Sequence, residues 1–275
     1  MLQQAIDFRD VNDALYKLLE PLEESDWSRK TQFKDWTVSD VIGHLHMWNC
    51  AADWTLKGDD VAFTQMLEKY WAALESGQTR MAFTDQWMNE PSGRKRLQIW
   101  REYCVGTAER FAQADPRARV QWAGPSMSVR SCITARLMET WSHGQALYDL
   151  LGVEREDSDS IKNIAVLGVN TYGWTFDVRG LEKPGEMPYL RLTAPSGAIW
   201  EWNTPNNDNR IEGSAVEFCQ VVAQTRNVQD THLEVTGEPA TRWMSLAQCF
   251  AGGANEPPAP GTRFKQPVRP ETQSR

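Results

Sequence analysis

Basic residues and long apolar runs are both scarce in this chain of 275 residues. It has 29 Lys and Arg against 37 Asp and Glu, which gives a formal net charge of −8, and the basic residues form no dense run. Nucleic acid and anionic membrane surfaces are therefore not expected as partners. No apolar stretch approaches the roughly 18 residues of a membrane span, and the first residues lack the order of a signal peptide. We expect a cytoplasmic protein.

Cysteine is also sparse, and its placement excludes two kinds of site. The five cysteines are widely separated and include no Cys-x-x-Cys pair. Neither a disulfide framework nor a cysteine-type zinc site is therefore expected, and buried free thiols are the simpler interpretation. The cysteines are Cys50, Cys104, Cys132, Cys219 and Cys249.

Two segments place metal-ligating side chains on predicted helices, although the chain has only four histidines. One segment is WTVSDVIGHL, which contains His44, and the other is RLMETWSHG, which contains Glu139 and His143. Glu139 and His143 are four residues apart, so on an α-helix both side chains leave the same face about one turn apart. With His44 they would form a set of three protein ligands that leaves a coordination position open, as in catalytic metal sites.

The residues that share a helix face with Glu139 and His143 indicate whether this pair is buried or exposed. At about 100° per residue, the face of Glu139 and His143 spans an arc of roughly 80° that also holds apolar residues, and a solvent-exposed pair is therefore disfavoured. A buried carboxylate must be neutralised by a metal, a cation or a proton. Arg136 lies on this face and could be that cation, which leaves a structural ion pair as the alternative. The other members of the arc are Cys132, Ala146 and Leu150.

Apolar residues at the helical period predict long helices with short connections in the first half of the chain. Thr37 is a good N-cap for the helix of His44, with Asp40 in the capping-box position. The predicted helices cover about residues 8–22, 37–56, 61–76, 91–114 and 126–151. Residues 120–125 are expected to form a connector that contains a short strand or a turn.

The second half has a different pattern. Residues 161–174 predict one more helix, and alternation after Pro188 predicts strands. The predicted strands cover 189–193, 198–202 and 232–236, and helices cover 214–225 and 239–250. We therefore predict an α+β protein with a helical bundle at 1–155, a small α+β domain at 156–252, and a Pro-rich polar tail at 253–275. The tail is expected to be disordered or draped over the surface.

The two segments resemble the two signatures of the mycothiol-dependent maleylpyruvate isomerase family, which belongs to the DinB-like four-helix-bundle superfamily. The resemblance implies an up-and-down four-helix bundle followed by a small α+β domain, with a divalent metal on His44, Glu139 and His143. Residues 211–218 resemble the helix-opening segment of the second domain. An Asp often follows the second His by three residues, and here Ala146 takes that position, so any role of that Asp in orienting a ligand is absent or filled elsewhere. The chain resembles an uncharacterised metal-binding branch more closely than the isomerase itself.

This resemblance implies a metal-dependent thiol transferase or isomerase. Zn²⁺ suits three N/O ligands, and Ni²⁺, Fe²⁺ or Mn²⁺ would also fit. A low-molecular-weight thiol such as mycothiol would lose its proton on the ion and attack a small electrophilic substrate. Most of the 13 tryptophans in the chain are expected to fill the helical core, and an aromatic-walled pocket in which Trp48 and Trp141 bind the cofactor is expected beside the site. Arg136, if it does not pair with Glu139, could hold a substrate carboxylate.

Two other functions stay open at this point. A metal-dependent hydrolase would use the ion to activate water, with Asp40 or Asp149 as the general base. A non-enzymatic protein would use the metal to stiffen a scaffold that binds an apolar ligand or a partner. Under each of these functions, the protein is expected to be a monomer or a homodimer.

Overall fold

The computed structural model describes residues 1–89 and 93–267. The chain forms two compact units, of which the first is Met1–Leu147 and the second begins at Tyr148. Helices build the first unit, and a four-stranded sheet with helices builds the second, which confirms the predicted α+β fold class. The predicted boundaries at 155 and 252 stay predictions. Among the described residues, no helix is both long and apolar enough to cross a bilayer.

The helices of the first unit are α1 (Gln3–Leu19), α2 (Val38–Lys57), α3 (Asp60–Glu75), α4 (Arg80–Met88), α5 (Arg94–Gln113) and α6 (Val129–Leu151, whose last turn belongs to the second unit). Helix α5 packs on both α1 and α2, while α3 and α4 pack on α2. Gly144 of α6 faces Leu15 of α1, where an added Cβ would lie 3.7 Å from a leucine methyl group. The long helices α1, α2, α5 and α6 therefore surround a common core.

The start of α2 is fixed by the predicted capping box. Thr37 Oγ1 accepts a hydrogen bond from the Asp40 backbone N–H at 3.1 Å, and Asp40 Oδ2 accepts one from the Thr37 N–H at 2.8 Å. These bonds satisfy two backbone donors that a helix start leaves open. At the other end, Gly58 adopts a positive φ of 74°, which favours glycine and ends the helix.

One helix of this unit was not predicted. Helix α4 is short and buries only Phe83 and Thr84, which is too little for a clear apolar period. The connector predicted at 120–125 holds the turn of a small hairpin, in which β1 (Arg119–Val120) pairs with β2 (Met127–Ser128). The predicted opening of α5 at Pro91-Ser92 lies outside the described residues.

The second unit contains α7 (Lys162–Asn170), α8 (Tyr172–Asp177), β3 (Tyr189–Thr193), β4 (Ile199–Trp202), β5 (Arg210–Ser214), α9 (Ala215–Val222), β6 (Glu234–Thr236) and α10 (Glu238–Leu246). The sheet order is β4-β3-β5-β6. β3 and β4 form the predicted antiparallel hairpin, whereas β5 lies parallel to β3 and was not predicted as a strand. Helices α8 and α10 pack together, and α9 packs on α7, β3 and β5.

Three predictions for this unit need correction or completion. The single helix predicted at 161–174 is broken at Thr171 into α7 and α8. The last helix ends at Leu246 rather than at residue 250. The described part of the tail is draped over its own unit, because Asn227 donates to the Pro258 carbonyl and Arg263 donates to the Gln224 carbonyl.

Candidate metal centre

Helices α2 and α6 bring the three predicted metal ligands together. Glu139 Oε2 lies 3.2 Å from His143 Nε2 and 3.6 Å from His44 Nε2. One ligand atom from each residue lies within 4.8 Å of the others, and no other such group of three is found among the described residues. The four-residue spacing of Glu139 and His143 works because α6 is a continuous helix there.

The environment sets the charge of these groups. Burial lowers the pKa of His44 to about 4, and the contact with Glu139 offsets only part of this effect. Burial would raise the pKa of Glu139, but the contacts with His143 and His44 outweigh it and hold the pKa well below its ordinary value. At neutral pH, His44 is therefore a neutral imidazole and Glu139 an ionised carboxylate.

Aromatic rings frame both histidines. The Trp36 ring stacks on His143 with a centroid distance of 5.3 Å and an interplanar angle of 7°. Phe33 meets His143 edge-on at 5.0 Å, and Trp48 meets His44 edge-on at 6.5 Å. These contacts restrict the orientation of the two imidazoles and cover part of the site with apolar surface.

A tight loop before α2 presents Phe33 and Trp36 to the site. The Thr31 N–H donates to the Trp36 carbonyl at 2.8 Å, which closes the loop. Lys34 and Asp35 inside it both have positive φ values, of 53° and 58°. Two consecutive non-glycine residues in this region are uncommon and depend on surrounding contacts. Phe33 was missed by the sequence analysis, and the only signal for it was its nearness to the N-cap of a ligand-bearing helix.

Arg136 does not occupy the predicted place. Its side chain is 1% exposed, its Nε donates to Asn49 Oδ1 at 2.9 Å, and its Nη2 donates to the Leu45 carbonyl at 3.4 Å. A guanidinium held this way inside the bundle is not available to bind a substrate carboxylate. It also forms no direct ion pair with Glu139, whose contacts are with the two histidines. The Arg136 charge still helps to lower the pKa of Glu139, and the two predicted roles stay predictions. Asn49 is a contact that the sequence analysis did not foresee.

The two predicted cofactor-binding tryptophans differ in placement. Trp48 lies beside His44 and also contacts Trp122 from the loop between β1 and β2. Trp141 is 2% exposed in the core. It follows Glu139 by two residues, so it points about 200° away around the helix. The structure thus brings Trp48 to the site and turns Trp141 away from it.

The other predicted reactive groups are occupied or inert. Asp40 serves the capping box of α2, and Asp149 is held by two hydrogen bonds from Arg226 at 2.7 and 2.8 Å. Burial raises the pKa of the Cys132 thiol to about 12, so a thiolate nucleophile is not expected there. All five cysteines are buried, and none of them forms a disulfide with another described residue.

The donor set fits a divalent ion. Two imidazoles and a carboxylate are ligands that Zn²⁺, Ni²⁺, Fe²⁺ and Mn²⁺ accept. Around a tetrahedral ion with bonds of about 2.1 Å, ligand atoms lie about 3.4 Å apart. The distances of 3.2 and 3.6 Å from Glu139 Oε2 to the two imidazole nitrogens are close to this separation, and all three ligand atoms lie within 4.8 Å of one another.

Comparisons with known proteins agree with this fold. A family model described as the mycothiol maleylpyruvate isomerase N-terminal domain matches residues 8–148. Two uncharacterized proteins of Mycobacterium tuberculosis are 35% identical over 246 residues, covering 90% of this chain and 94% of each relative. A crystal structure of the mycothiol-dependent maleylpyruvate isomerase aligns with a TM-score of 0.53 at 14% identity over 86% of this chain and 94% of that chain. A mutant of that isomerase aligns with a TM-score of 0.52 at 16% identity over the same shares.

Proposed function

The chain belongs to the mycothiol maleylpyruvate isomerase family, and on that premise we propose that it is a metal-dependent enzyme that uses a small thiol cofactor. It would isomerise a small electrophilic substrate, or transfer the thiol to that substrate through a new C–S bond that displaces a leaving group. The observation that carries this proposal is the convergence of His44, Glu139 and His143 within 4.8 Å.

Two of the three proposed ligands already have the protonation state that metal binding requires. Metal binding requires a neutral imidazole and an ionised carboxylate, so ligands that hold protons weaken it. His44 and Glu139 already have these forms at neutral pH, because the pKa of each is lowered. We propose Zn²⁺ as the ion, with Ni²⁺, Fe²⁺ and Mn²⁺ as the alternatives to compare.

The site is closed on one side and open on another. Side-chain exposure is 9% for His44, 13% for His143 and 24% for Glu139, so the carboxylate edge is reachable by a small molecule. When bound, a divalent ion lowers the pKa of a thiol, and addition of the thiolate to an activated double bond followed by its elimination isomerises that bond without net oxidation or reduction. Phe33 and Trp36 would keep the ring of His143 in place, and Trp48 would form a wall for the thiol cofactor.

The alternatives receive less support from the contacts. A hydrolase needs a general base near the ion, but Asp40 and Asp149 are both engaged elsewhere. A purely structural metal would favour a closed set of four ligands, whereas only three donors converge among the described residues.

The first experiment is metal analysis by mass spectrometry of protein purified without chelator and then supplied with Zn²⁺. We expect about one ion per chain, lost in His44→Ala and in His143→Ala. His232→Ala is the matched control, because His232 is exposed and pairs with Glu217. Absence of metal in the wild type after supplementation would contradict the proposed centre.

The second experiment tests turnover. Maleylpyruvate and other small electrophiles are supplied to the metal-loaded protein with and without mycothiol. Turnover that requires both metal and thiol would support the proposal. Turnover of ester or amide substrates without thiol would favour the hydrolase, and a metal-loaded protein inactive in every assay would favour the scaffold.

A further inference from the structure

We infer that Arg136 is a positioning residue that holds α6 in register with α2 at the candidate metal centre. This inference rests on the proposed metal site, which it deepens. The guanidinium reaches across the core from α6 and donates to Asn49 Oδ1 and to the Leu45 carbonyl. Leu45 directly follows His44, and Arg136 lies almost one turn before Glu139. The contact therefore joins the two backbone segments that carry metal ligands.

The contact continues as a chain of hydrogen bonds through the bundle. Asn49 Nδ2 donates to Cys104 Sγ at 3.2 Å, and Cys104 Sγ donates to Asn12 Oδ1 at 3.3 Å. Asn12 Nδ2 donates to the Phe8 carbonyl at 2.6 Å. All four long helices are thus linked, since Asn12 and Phe8 lie on α1, Asn49 on α2, Cys104 on α5 and Arg136 on α6. Such a network favours one helix register over its alternatives.

A positioning role for Arg136 and an ordinary stabilising role predict different effects of its replacement on metal affinity and on the free energy of unfolding. Arg136 is 1% exposed, and it forms no ion pair with the described carboxylates. A buried cation without a carboxylate partner retains much of its desolvation cost, and apolar residues of similar volume often replace buried charges without loss of stability. Residues that orient metal ligands, in contrast, typically change metal affinity by about 10- to 100-fold when they are replaced.

Arg136→Met is therefore the central variant. We expect its Zn²⁺ dissociation constant, measured by competition with a chromogenic chelator, to rise about 10- to 100-fold. Its resistance to urea unfolding in the presence of a chelator should be equal to or higher than that of the wild type. Arg130→Met is the matched control, because Arg130 lies exposed on the same helix, and it should change neither quantity.

A simple charge effect predicts the opposite sign. Loss of a nearby positive charge would strengthen the binding of a cation, so unchanged or tighter Zn²⁺ binding by Arg136→Met would overturn the inference. Arg136→Lys keeps the charge but loses the planar fork, and we expect weakened binding similar to that of Arg136→Met. Full affinity in Arg136→Lys would show that charge alone matters and would also overturn the inference.

Two further variants test the role of Asn49 as the partner of Arg136. Asn49→Asp keeps an oxygen acceptor for Arg136, so its Zn²⁺ affinity should stay within about threefold of the wild type. In the double variant Arg136→Met with Asn49→Leu, the loss of affinity should equal that of Arg136→Met alone, because contacting residues that act as a unit are not additive. Additive losses would contradict the joint role. A wild type without metal would reject the centre itself, whereas equal binding by wild type and Arg136→Met would reject only the role of Arg136.

Discussion

Asp53 offers a quantitative test of how α2 is anchored in the bundle. Its carboxylate is fully buried and accepts hydrogen bonds from Arg110 Nε at 2.5 Å and Arg110 Nη2 at 2.9 Å. Tyr103 donates a third hydrogen bond at 2.9 Å, and Lys57 Nζ lies 2.6 Å away. Burial would raise the pKa of Asp53, but these contacts outweigh it and lower the pKa below its ordinary value.

The expected loss in the free energy of unfolding is larger when Arg110 is replaced than when Lys57 is replaced. Arg110→Met removes two charge-assisted hydrogen bonds from a buried carboxylate, which costs about 3–5 kcal/mol when no compensation is left. Lys57 and Tyr103 remain, and Arg110 is 37% exposed, so we expect a loss of about 2–3 kcal/mol in the free energy of unfolding. Lys57→Met removes one contact from a side chain that is 45% exposed, and its loss should stay below about 1 kcal/mol.

Urea unfolding at neutral pH, followed by far-UV circular dichroism, measures both losses in the helical unit. Lys57→Met serves as the matched control, because it removes a cation from the same carboxylate. Equal losses in the two variants would refute the reasoning that bidentate contact with a buried group sets the magnitude.

The lowered pKa of Asp53 also predicts how the stability difference between the wild type and Arg110→Met depends on pH. The folded-state pKa of Asp53 lies below its unfolded value, so its contribution is complete above the unfolded pKa of about 3.9 and is lost as the pH falls through the folded pKa. The stability gap between wild type and Arg110→Met should therefore be constant above about pH 5 and shrink in stronger acid. A gap that widens on acidification would contradict the assignment.

Two remaining predictions concern the approach to the site. Thr37→Ala removes the capping hydrogen bond to Asp40 and should lower the free energy of unfolding by about 1 kcal/mol, whereas Thr37→Ser should retain most of it; equal urea midpoints for both variants would count against the cap. Trp36→Leu removes the ring stacked on His143, a contact worth about 0.5–1.5 kcal/mol, so Zn²⁺ affinity should fall by up to about tenfold. Trp174→Leu, at an exposed position of the second unit, is its control, and wild-type affinity in Trp36→Leu would exclude an ordering role for the stack.

The nearness of Glu139 to His143 could be predicted from the sequence because helical spacing is local geometry. Glu139 and His143 need only one continuous helix to share a face, and the structure supplies it. Pairing them with His44 needed more, namely a second helix and the resemblance of both segments to one family. Strand β5 could not be predicted in the same way, because its parallel partner β3 is separated from it by β4 and a turn.

Two predicted site residues, Trp141 and Arg136, have side chains directed away from the three candidate ligands, for different physical reasons. Trp141 was assigned to the cofactor site although its two-residue spacing from Glu139 already places it on another side of the helix. Arg136 was correctly placed on the face of Glu139, but its long side chain carries the guanidinium away to Asn49. Helical periodicity locates a Cα–Cβ direction, and it does not locate the charged end of a long side chain.

The polar residues of α2 show how the site can be told from its surroundings. Every residue from Val41 to Asp53 is buried. Hydropathy therefore does not distinguish the face of α2 that packs in the core from the face that carries the candidate site. Buried polar side chains are normally hydrogen-bonded, so their partners can make this distinction. His46 Nε2 lies 3.6 Å from Cys50 Sγ, Asn49 binds Arg136, and Asp53 binds Arg110. Contacts within the bundle account for Asn49 and Asp53, whereas His46 keeps a buried Nδ1 without a hydrogen-bond partner among the described residues. His44 differs, because its partner is a carboxylate that also contacts a second histidine, and the proposed metal centre rests on this shared carboxylate.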